Sequence, residues 1–221
     1  MANEKTLEEM IVKLTNRPLY LVTDHTGLTD EQFFNAIEAG IQNGVGLVQL
    51  RQKEGSSRDI FEMAQKVKAI TDRYKIPLII DDRLDIAQAV DAAGVHLGQS
   101  DLPVDIARRI LGPKKIIGAT AKTLKQAKIA EEMGADYLGT GAIFPTMTHV
   151  KTVHTSVETL GKIKLSVDIP VYAIGGLKTD NVEAIDGAHV DGVAVVSAIM
   201  KAADPASATR ELRDAVEEAI G

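Results

Sequence analysis

The chain has 221 residues, a length that suits one large α/β domain or two small ones. Its formal net charge of -6 argues against general nucleic-acid binding, because that function relies on clustered positive charge. The chain has no cysteine, which excludes disulfides, a thiolate nucleophile and a thiolate metal site, so any metal must be held by oxygen or imidazole.

The beginning of the chain predicts neither export nor membrane insertion. Met1 to Pro18 is charged and lacks the apolar core of a signal peptide. No run approaches the roughly 20 apolar residues of a membrane span. We therefore expect a cytoplasmic protein that binds neither membrane nor nucleic acid. Apolar residues at helical spacing from Leu7 to Leu14 predict a short N-terminal helix in an extension over residues 1–17, followed by one catalytic domain over 18–221.

Short apolar runs then alternate with amphipathic segments along the rest of the chain. Pro18 to Asp24 predicts the first strand, and Thr29-Asp30 begins a helix that ends at Asn43-Gly44. The same unit recurs to the end of the chain. Further strands are predicted at 46–50, 76–80, 94–97, 115–119, 136–140, 169–174 and 192–196. Helices are predicted at 58–74, 84–92, 103–111, 124–133, 157–165, 179–185, 197–201 and 205–220.

This alternation predicts the fold class. Short, fully apolar strands between amphipathic helices indicate a parallel sheet that is covered on both faces. About eight such units in this length predict an α/β fold, a single (β/α)8 TIM barrel with a short N-terminal helix. A doubly wound open sheet is the alternative, but the first turn, Thr23 to Gly27, lacks the G-x-G-x-x-G pattern. The longest irregular segment, Phe144 to Ser156, is expected to be functional.

Two cations follow the second predicted strand. Arg51 and Lys53 are two residues apart, so in an extended chain they project to the same side. Arginine can grip a phosphate with two hydrogen bonds, and lysine adds a compact charge. Alternatively, both are solvated loop charges. Acids at neighbouring strand ends, at Asp81-Asp82 and Asp101, favour a phosphate chain shared between the cations and a metal.

Asp82 and Asp101 are the predicted metal ligands. With oxygen ligands and a polyphosphate partner expected, Mg²⁺ is the natural ion. An alternative makes each acid a helix cap, Asp82 before Leu84 and Asp101 before Pro103. Capping alone would not explain why both acids face the cations.

A second anion site is predicted after the seventh and eighth strands. Glycines at Gly175-Gly176 let backbone N–H groups approach a phosphate, and a helix start at Ser197 adds partial positive charge. Many barrels hold a monophosphate there. Two anion sites on one rim indicate a transferase that acts on two phosphorylated substrates. His96 lies within a strand, where a packed core histidine is at least as plausible as a catalytic one.

Several strings in this sequence carry a family resemblance. They are Gln49 to Lys53, Ile79 to Arg83, Gly94 to Pro103, Ala135 to Gly139, Ile143 to Thr148 and Ala173 to Gly176. With them, the region from about Leu19 to Ile199 resembles the thiamine phosphate synthase (thiamine-phosphate pyrophosphorylase) family. The resemblance implies a transferase of thiamine biosynthesis. It would join 4-amino-2-methyl-5-hydroxymethylpyrimidine diphosphate to 4-methyl-5-(2-hydroxyethyl)thiazole phosphate, releasing pyrophosphate by an Mg²⁺-assisted dissociative substitution.

The same resemblance implies roles for individual residues. The pyrimidine diphosphate would be held by Gln49, Arg51 and Lys53, and Mg²⁺ by Asp82 and Asp101. The thiazole phosphate would contact Thr146, Thr148, Gly176, Val196 and Ser197. Three further substrate-binding positions, which are usually Asn, Ser and Lys in the family, are here Asp81, Thr120 and His149. The catalytic residues are expected to be Arg51, Lys53 and Thr120.

Two other functions are compatible with such a barrel. A thiazole tautomerase-like paralogue would act on the thiazole phosphate without joining it to anything. That branch is expected to use a histidine after the fifth strand, and Ala119 to Thr123 contains none. A non-catalytic barrel that binds phosphorylated ligands is the other alternative. The sequence leaves the oligomeric state open, a homo-oligomer included.

Overall fold

A computed structural model describes residues 18–145 and 154–221. Eight parallel strands close into a barrel in chain order. They are Leu19–Val22 (β1), Leu47–Leu50 (β2), Leu78–Asp81 (β3), Gly94–Leu97 (β4), Ile116–Thr120 (β5), Tyr137–Gly141 (β6), Val171–Ile174 (β7) and Gly192–Val195 (β8). Because β1 pairs with β8, the sheet has no open edge. The predicted (β/α)8 barrel is confirmed, and the open doubly wound sheet is excluded.

Helices cover the outside of the barrel. They are Asp30–Gln42 (α1), Ser57–Arg73 (α2), Leu84–Ala89 (α3), Val104–Leu111 (α4), Leu124–Glu132 (α5), Val157–Lys164 (α6), Ser197–Met200 (α7) and Pro205–Ile220 (α8). Capping boxes at Thr29 and Ser56 begin α1 and α2, because each side chain accepts from a backbone N–H three residues on. None of the helices in the two described ranges is long and apolar enough to span a bilayer.

The helix predicted at 179–185 is wrong in kind, because the structure has only a short 3-10 turn, Val182–Ile185, in its place. The Asn181 side chain accepts from the Lys178 N–H and donates to the Gly176 carbonyl, which ties down the loop before the turn. Gly187 then takes a positive φ of 77° and the chain leaves helical geometry. The predicted N-terminal helix at Leu7 to Leu14 lies outside the described residues.

The strands alternate between two apolar layers. Inward side chains form the barrel interior, and outward ones pack beneath the helices. The largest interior side chains are Tyr20, Tyr137 and Tyr172. Since side chains two apart share a face, polar residues near the carboxyl ends of β2 to β5 also project inward, above that interior layer. These residues are Gln49, Asp81, His96 and Thr120.

Candidate active site

The carboxyl ends of the strands surround a cavity of about 530 Å³. Eight of the predicted site residues line it: Gln49, Arg51, Lys53, Asp81, Asp82, Asp101, Thr120 and Val196. Gly176 and Ser197 are not among the described lining residues, but each follows one of them closely, Ile174 and Val196 respectively. The predicted thiazole-phosphate contacts Thr146 and Thr148, together with His149, lie outside the described residues.

Cations and carboxylates face one another on the wall formed by β2 and β3. The Lys53 Nζ lies 2.7 Å from Asp81 Oδ2 and also forms a close ion pair with Asp82. The Arg51 Nε lies 3.9 Å from the same Asp81 oxygen. The Arg51 backbone is fixed by a hydrogen bond from its N–H to Thr23 Oγ1, at 3.1 Å. The two cations therefore share a single carboxylate as their common neighbour.

The Arg51 side chain has an unused donor in this arrangement. Its Nε is buried and makes no hydrogen bond within the described part of the chain. Buried polar groups in folded proteins are nearly always paired, and an unpaired one is costly. A buried guanidinium donor on a cavity wall is therefore well suited to an anionic ligand.

The carboxyl groups of Asp82, after β3, and Asp101, after β4, lie close enough to interact through a hydrogen bond. Burial, together with the hydrogen bond to Asp82, raises the pKa of Asp101. Burial acts to raise the pKa of Asp82, but the hydrogen bonds from Lys53 and Asp101, together with the charge of Lys53, lower it overall. The Asp82 carboxyl therefore loses its proton more readily than the Asp101 carboxyl.

Neither acid is a helix cap. Residues Arg83 and Pro103 occupy the N-cap positions of α3 and α4, and neither helix has a side-chain capping bond. Asp101 Oδ2 instead accepts from the Gly98 N–H at 2.7 Å, closing a tight loop after β4. The alternative reading of these two acids as caps is wrong.

The acid pair fits a hard divalent cation. Because the two carboxyl groups touch, one ion can contact both of them. In the described ranges, no group of three or more acidic or histidine side chains is arranged around a single ion position. Such an ion would need water and phosphate oxygens for its other ligands, which is the usual way that Mg²⁺ is held in phosphate-transfer sites.

Asp81 has the most perturbed carboxyl group of the wall. Its side chain is 10% exposed, and burial raises its pKa to about 6 despite the ion pair with Lys53. Burial disfavours the charged form of a carboxyl group, whereas a neighbouring cation favours it. Here the desolvation is the larger effect.

A line of polar side chains crosses the barrel below the cavity. Gln49 Nε2 donates to the Tyr20 hydroxyl at 2.9 Å, and the Tyr20 and Tyr137 hydroxyls are 2.8 Å apart. The Tyr137 hydroxyl lies 3.1 Å from His96 Nδ1, and His96 Nε2 lies 3.0 Å from Thr120 Oγ1. Burial lowers the pKa of His96 to about 4, so the ring is neutral near neutral pH.

Sequence reasoning missed Tyr20 and Tyr137 and left His96 undecided. A tyrosine inside an apolar run indicates a packed core side chain. Tyr20 and Tyr137 are packed in the core, but their hydroxyls also form hydrogen bonds. The available signal was strand parity: Tyr20 and Tyr137 both share a face with the barrel interior. His96 is a hydrogen-bonded core side chain that also lines the cavity.

The turn after β7 has the glycine geometry that the sequence predicted. Gly175 and Gly176 have φ values of 106° and 66°, which favour glycine. A Cβ on Gly176 would lie 2.7 Å from the Pro145 carbonyl oxygen. The helix α7 that follows β8 has only four residues, so it offers backbone N–H groups but little helix dipole.

Comparison with known proteins identifies close relatives. Residues 19–199 match the family model described as thiamine monophosphate synthase. The chain is 51% identical to thiamine-phosphate synthase 2 of Streptococcus pneumoniae over 186 residues, which cover 84% of this chain and 89% of that protein. It is 52% identical to thiamine-phosphate synthase of Enterococcus faecalis over 184 residues, covering 83% and 87%. The solved thiamine phosphate pyrophosphorylase from Pyrococcus furiosus matches with a TM-score of 0.86 and 39% identity, covering 95% of this chain and 100% of that one.

Proposed function

The chain belongs to the thiamine monophosphate synthase family, and from this premise we propose how its residues carry out the synthase reaction. It is a transferase that joins 4-amino-2-methyl-5-hydroxymethylpyrimidine diphosphate to 4-methyl-5-(2-hydroxyethyl)thiazole phosphate and releases pyrophosphate. The observation that carries the residue assignment is the cluster of Arg51 and Lys53 with three carboxyl groups on one rim.

The diphosphate of the pyrimidine substrate binds at this cluster. Arg51 offers its buried, unused Nε–H, and Lys53 exchanges its contact with Asp82 for a diphosphate oxygen. Asp82 and Asp101 would hold Mg²⁺, which would supply positive charge to neutralise the diphosphate. Gln49 and Thr120 contact the pyrimidine ring on opposite walls of the cavity.

The reaction is a substitution at the pyrimidine methylene carbon. The carbon–oxygen bond to the diphosphate breaks, and its electron pair leaves with the pyrophosphate. The 4-amino group of the ring stabilises the positive charge left on the methylene carbon. The thiazole nitrogen then donates its lone pair to that carbon, and the new carbon–nitrogen bond gives a thiazolium cation.

This chemistry makes few demands on acid–base groups. No proton is transferred in either bond change, so the neutral His96 is compatible with full activity. Arg51 and Lys53 stabilise the charge that develops on the departing diphosphate, which is the largest contribution that such a site can make. Holding the thiazole nitrogen in line with the methylene carbon supplies much of the rest.

The thiazole phosphate binds across the cavity from the diphosphate. Backbone N–H groups near Gly176, Val196 and Ser197 surround its phosphate, in the turn that requires glycine. Thr146, Thr148 and His149 complete this half of the site in our proposal, and all three lie outside the described residues.

The test is pyrophosphate release by the purified protein with both substrates and Mg²⁺. We expect release that requires both substrates and stops on addition of a chelator. Isomerisation of the thiazole phosphate alone would support the tautomerase alternative. Binding of either substrate without turnover would support a non-catalytic binding barrel.

A further inference from the structure

Five side chains from five strands form one continuous chain of hydrogen bonds beneath the cavity. It runs from Gln49 on β2 through Tyr20, Tyr137 and His96 to Thr120 on β5. Its central members lie deep, since Tyr137 is fully buried and Tyr20 is 2% exposed. Its two ends are the cavity-lining residues Gln49 and Thr120. The reaction proposed above uses these two ends and leaves the three middle residues without a role.

The structure fixes one donor in this chain, Gln49 Nε2, and the other links follow in one direction if each hydroxyl oxygen accepts only one of these hydrogen bonds. Gln49 Nε2 donates to the Tyr20 hydroxyl, whose single proton is then directed to the Tyr137 oxygen. The Tyr137 proton is in turn directed to His96 Nδ1. A neutral imidazole that accepts at Nδ1 carries its proton on Nε2, so His96 donates to Thr120 Oγ1.

The direction decides which atoms remain for a ligand. Gln49 has used one of its two amide N–H groups, so its amide oxygen is left as an acceptor beside the second N–H. Thr120 has accepted from His96, and its own hydroxyl proton is left as a donor. The cavity therefore offers an acceptor on the β2 wall and a donor on the β5 wall.

We infer that Tyr20, Tyr137 and His96 are positioning residues that fix this polarity and thereby select a 4-aminopyrimidine over its 4-oxo counterpart. The inference rests on the proposed function, in which Gln49 and Thr120 contact the pyrimidine. An amino group at position 4 donates to the Gln49 oxygen, and a ring nitrogen accepts from Thr120. An oxo group would place its oxygen next to the Gln49 oxygen. Both atoms are acceptors, so no hydrogen bond could form between them.

Substitution of Tyr137 by Phe cuts the chain at its middle. Gln49 is then free to turn its amide over, because the hydroxyl that orders the donors and acceptors is gone. We expect Tyr137→Phe to reduce the preference for the amino ring over the oxo ring by about tenfold, the effect of one buried hydrogen bond. Tyr20→Phe removes the neighbouring link and should have the same effect.

Tyr172→Phe is the matched control. Tyr172 is as deeply buried, and its ring lies edge-on to Tyr20 and Tyr137 at centroid distances of 5.5 and 5.8 Å. Its hydroxyl is not one of the links between Gln49 and Thr120. Removal of this hydroxyl should leave the amino-over-oxo preference at the wild-type value.

The experiment is calorimetric titration of the full chain with the 4-amino and 4-oxo pyrimidine diphosphates, with Mg²⁺ and without thiazole phosphate. Thermal unfolding of each variant is measured alongside. A reduced preference in Tyr137→Phe and Tyr20→Phe, with an unchanged one in Tyr172→Phe, supports the inference.

Three results would overturn the inference. They are a wild-type preference for the oxo ring, an equal effect of all three substitutions, and failure of both chain variants to fold while the control folds. Since no turnover is needed, a wild-type protein that binds selectively but releases no pyrophosphate would reject the proposed function and leave this inference standing.

Discussion

The ammonium group of Lys53 lies 2.7 Å from Oδ2 of Asp81, a carboxyl group that is 10% exposed. The same lysine contacts Asp82, and Arg51 approaches the same Asp81 oxygen. Asp81 stands where the resemblance implies asparagine. A diphosphate bound by these cations would therefore compete with the Asp81 carboxylate for them.

Replacement of Asp81 by Asn removes that competition. Burial raises the pKa of Asp81 to about 6, so the group is largely charged above this pH and largely neutral below it. The wild type should therefore bind the pyrimidine diphosphate more weakly than Asp81→Asn near pH 8, by roughly three- to tenfold, and about equally near pH 5. Affinities of both proteins are measured across that range, and comparison at each pH cancels ionisation of the substrate itself. A ratio that does not change with pH would show that Asp81 carries no charge in competition with the ligand.

Arg51 should act chiefly by stabilising the transition state of the reaction. Loss of one preorganised charge-stabilising group typically costs about 2–4 kcal/mol, and we expect Arg51→Ala to lower kcat/KM accordingly. Arg51→Lys should recover part of this loss, since lysine keeps the charge but not the paired donors. Arg73→Ala is the control, because Arg73 is exposed on α2 and pairs with Glu38 of α1. Unchanged turnover in Arg51→Ala would contradict its assignment to the diphosphate.

Asp82→Asn tests the metal assignment with little change to the backbone. Asp82 has a φ of 60°, a region that asparagine tolerates better than most residues. Since second-sphere changes alone cost 10–100-fold in metal affinity, loss of a ligand charge should raise the Mg²⁺ concentration for half-maximal activity by at least about tenfold. Asp105→Asn is the control, because Asp105 pairs with Arg109 on the surface of α4. This substitution should leave the Mg²⁺ concentration for half-maximal activity unchanged. Equal Mg²⁺ requirements in both variants would place the ion elsewhere.

Gly118 makes room for the Tyr137 ring in the barrel interior. A Cβ at Gly118 would lie 2.1 Å from the ring carbon that bears the Tyr137 hydroxyl. Because the ring is fully buried, Gly118→Ala should lower the free energy of unfolding by about 1–3 kcal/mol or more, the cost of overpacking a core.

Gly161→Ala is the control for this prediction. Its Cβ would lie 3.6 Å from Ala188 Cα, an ordinary contact, and it occupies a position in α6. An alanine there should stabilise the protein by about 0.5–1 kcal/mol. Denaturant titrations of the two variants give the comparison, and equal stability would mean that the interior adjusts without cost.

The barrel could be predicted from the sequence because its signals are local. Apolar runs bounded by turn residues identify each strand, and capping residues such as Thr29 and Ser56 identify helix starts. The segment at 179–185 was misassigned because Asn181 binds loop backbone groups three and five residues away, which a periodicity argument does not detect.

The site could be predicted only in part, because local sequence signals identify only some of its contacts. Lys53 and Asp82 follow the neighbouring strands β2 and β3, so their position along the chain was enough to predict that they lie close together. The chain through Tyr20 and Tyr137 depends on which interior side chains face one another across the barrel. That arrangement follows from strand register and closure, and neither can be read from one sequence.

The most direct test of the cation and carboxylate cluster is a crystal structure of the protein with Mg²⁺ and pyrophosphate. We expect one ion in contact with both Asp82 and Asp101, and Lys53 moved from Asp82 to a pyrophosphate oxygen beside Arg51. An ion bound away from these two acids, or pyrophosphate bound elsewhere while Lys53 stays on Asp81 and Asp82, would contradict it.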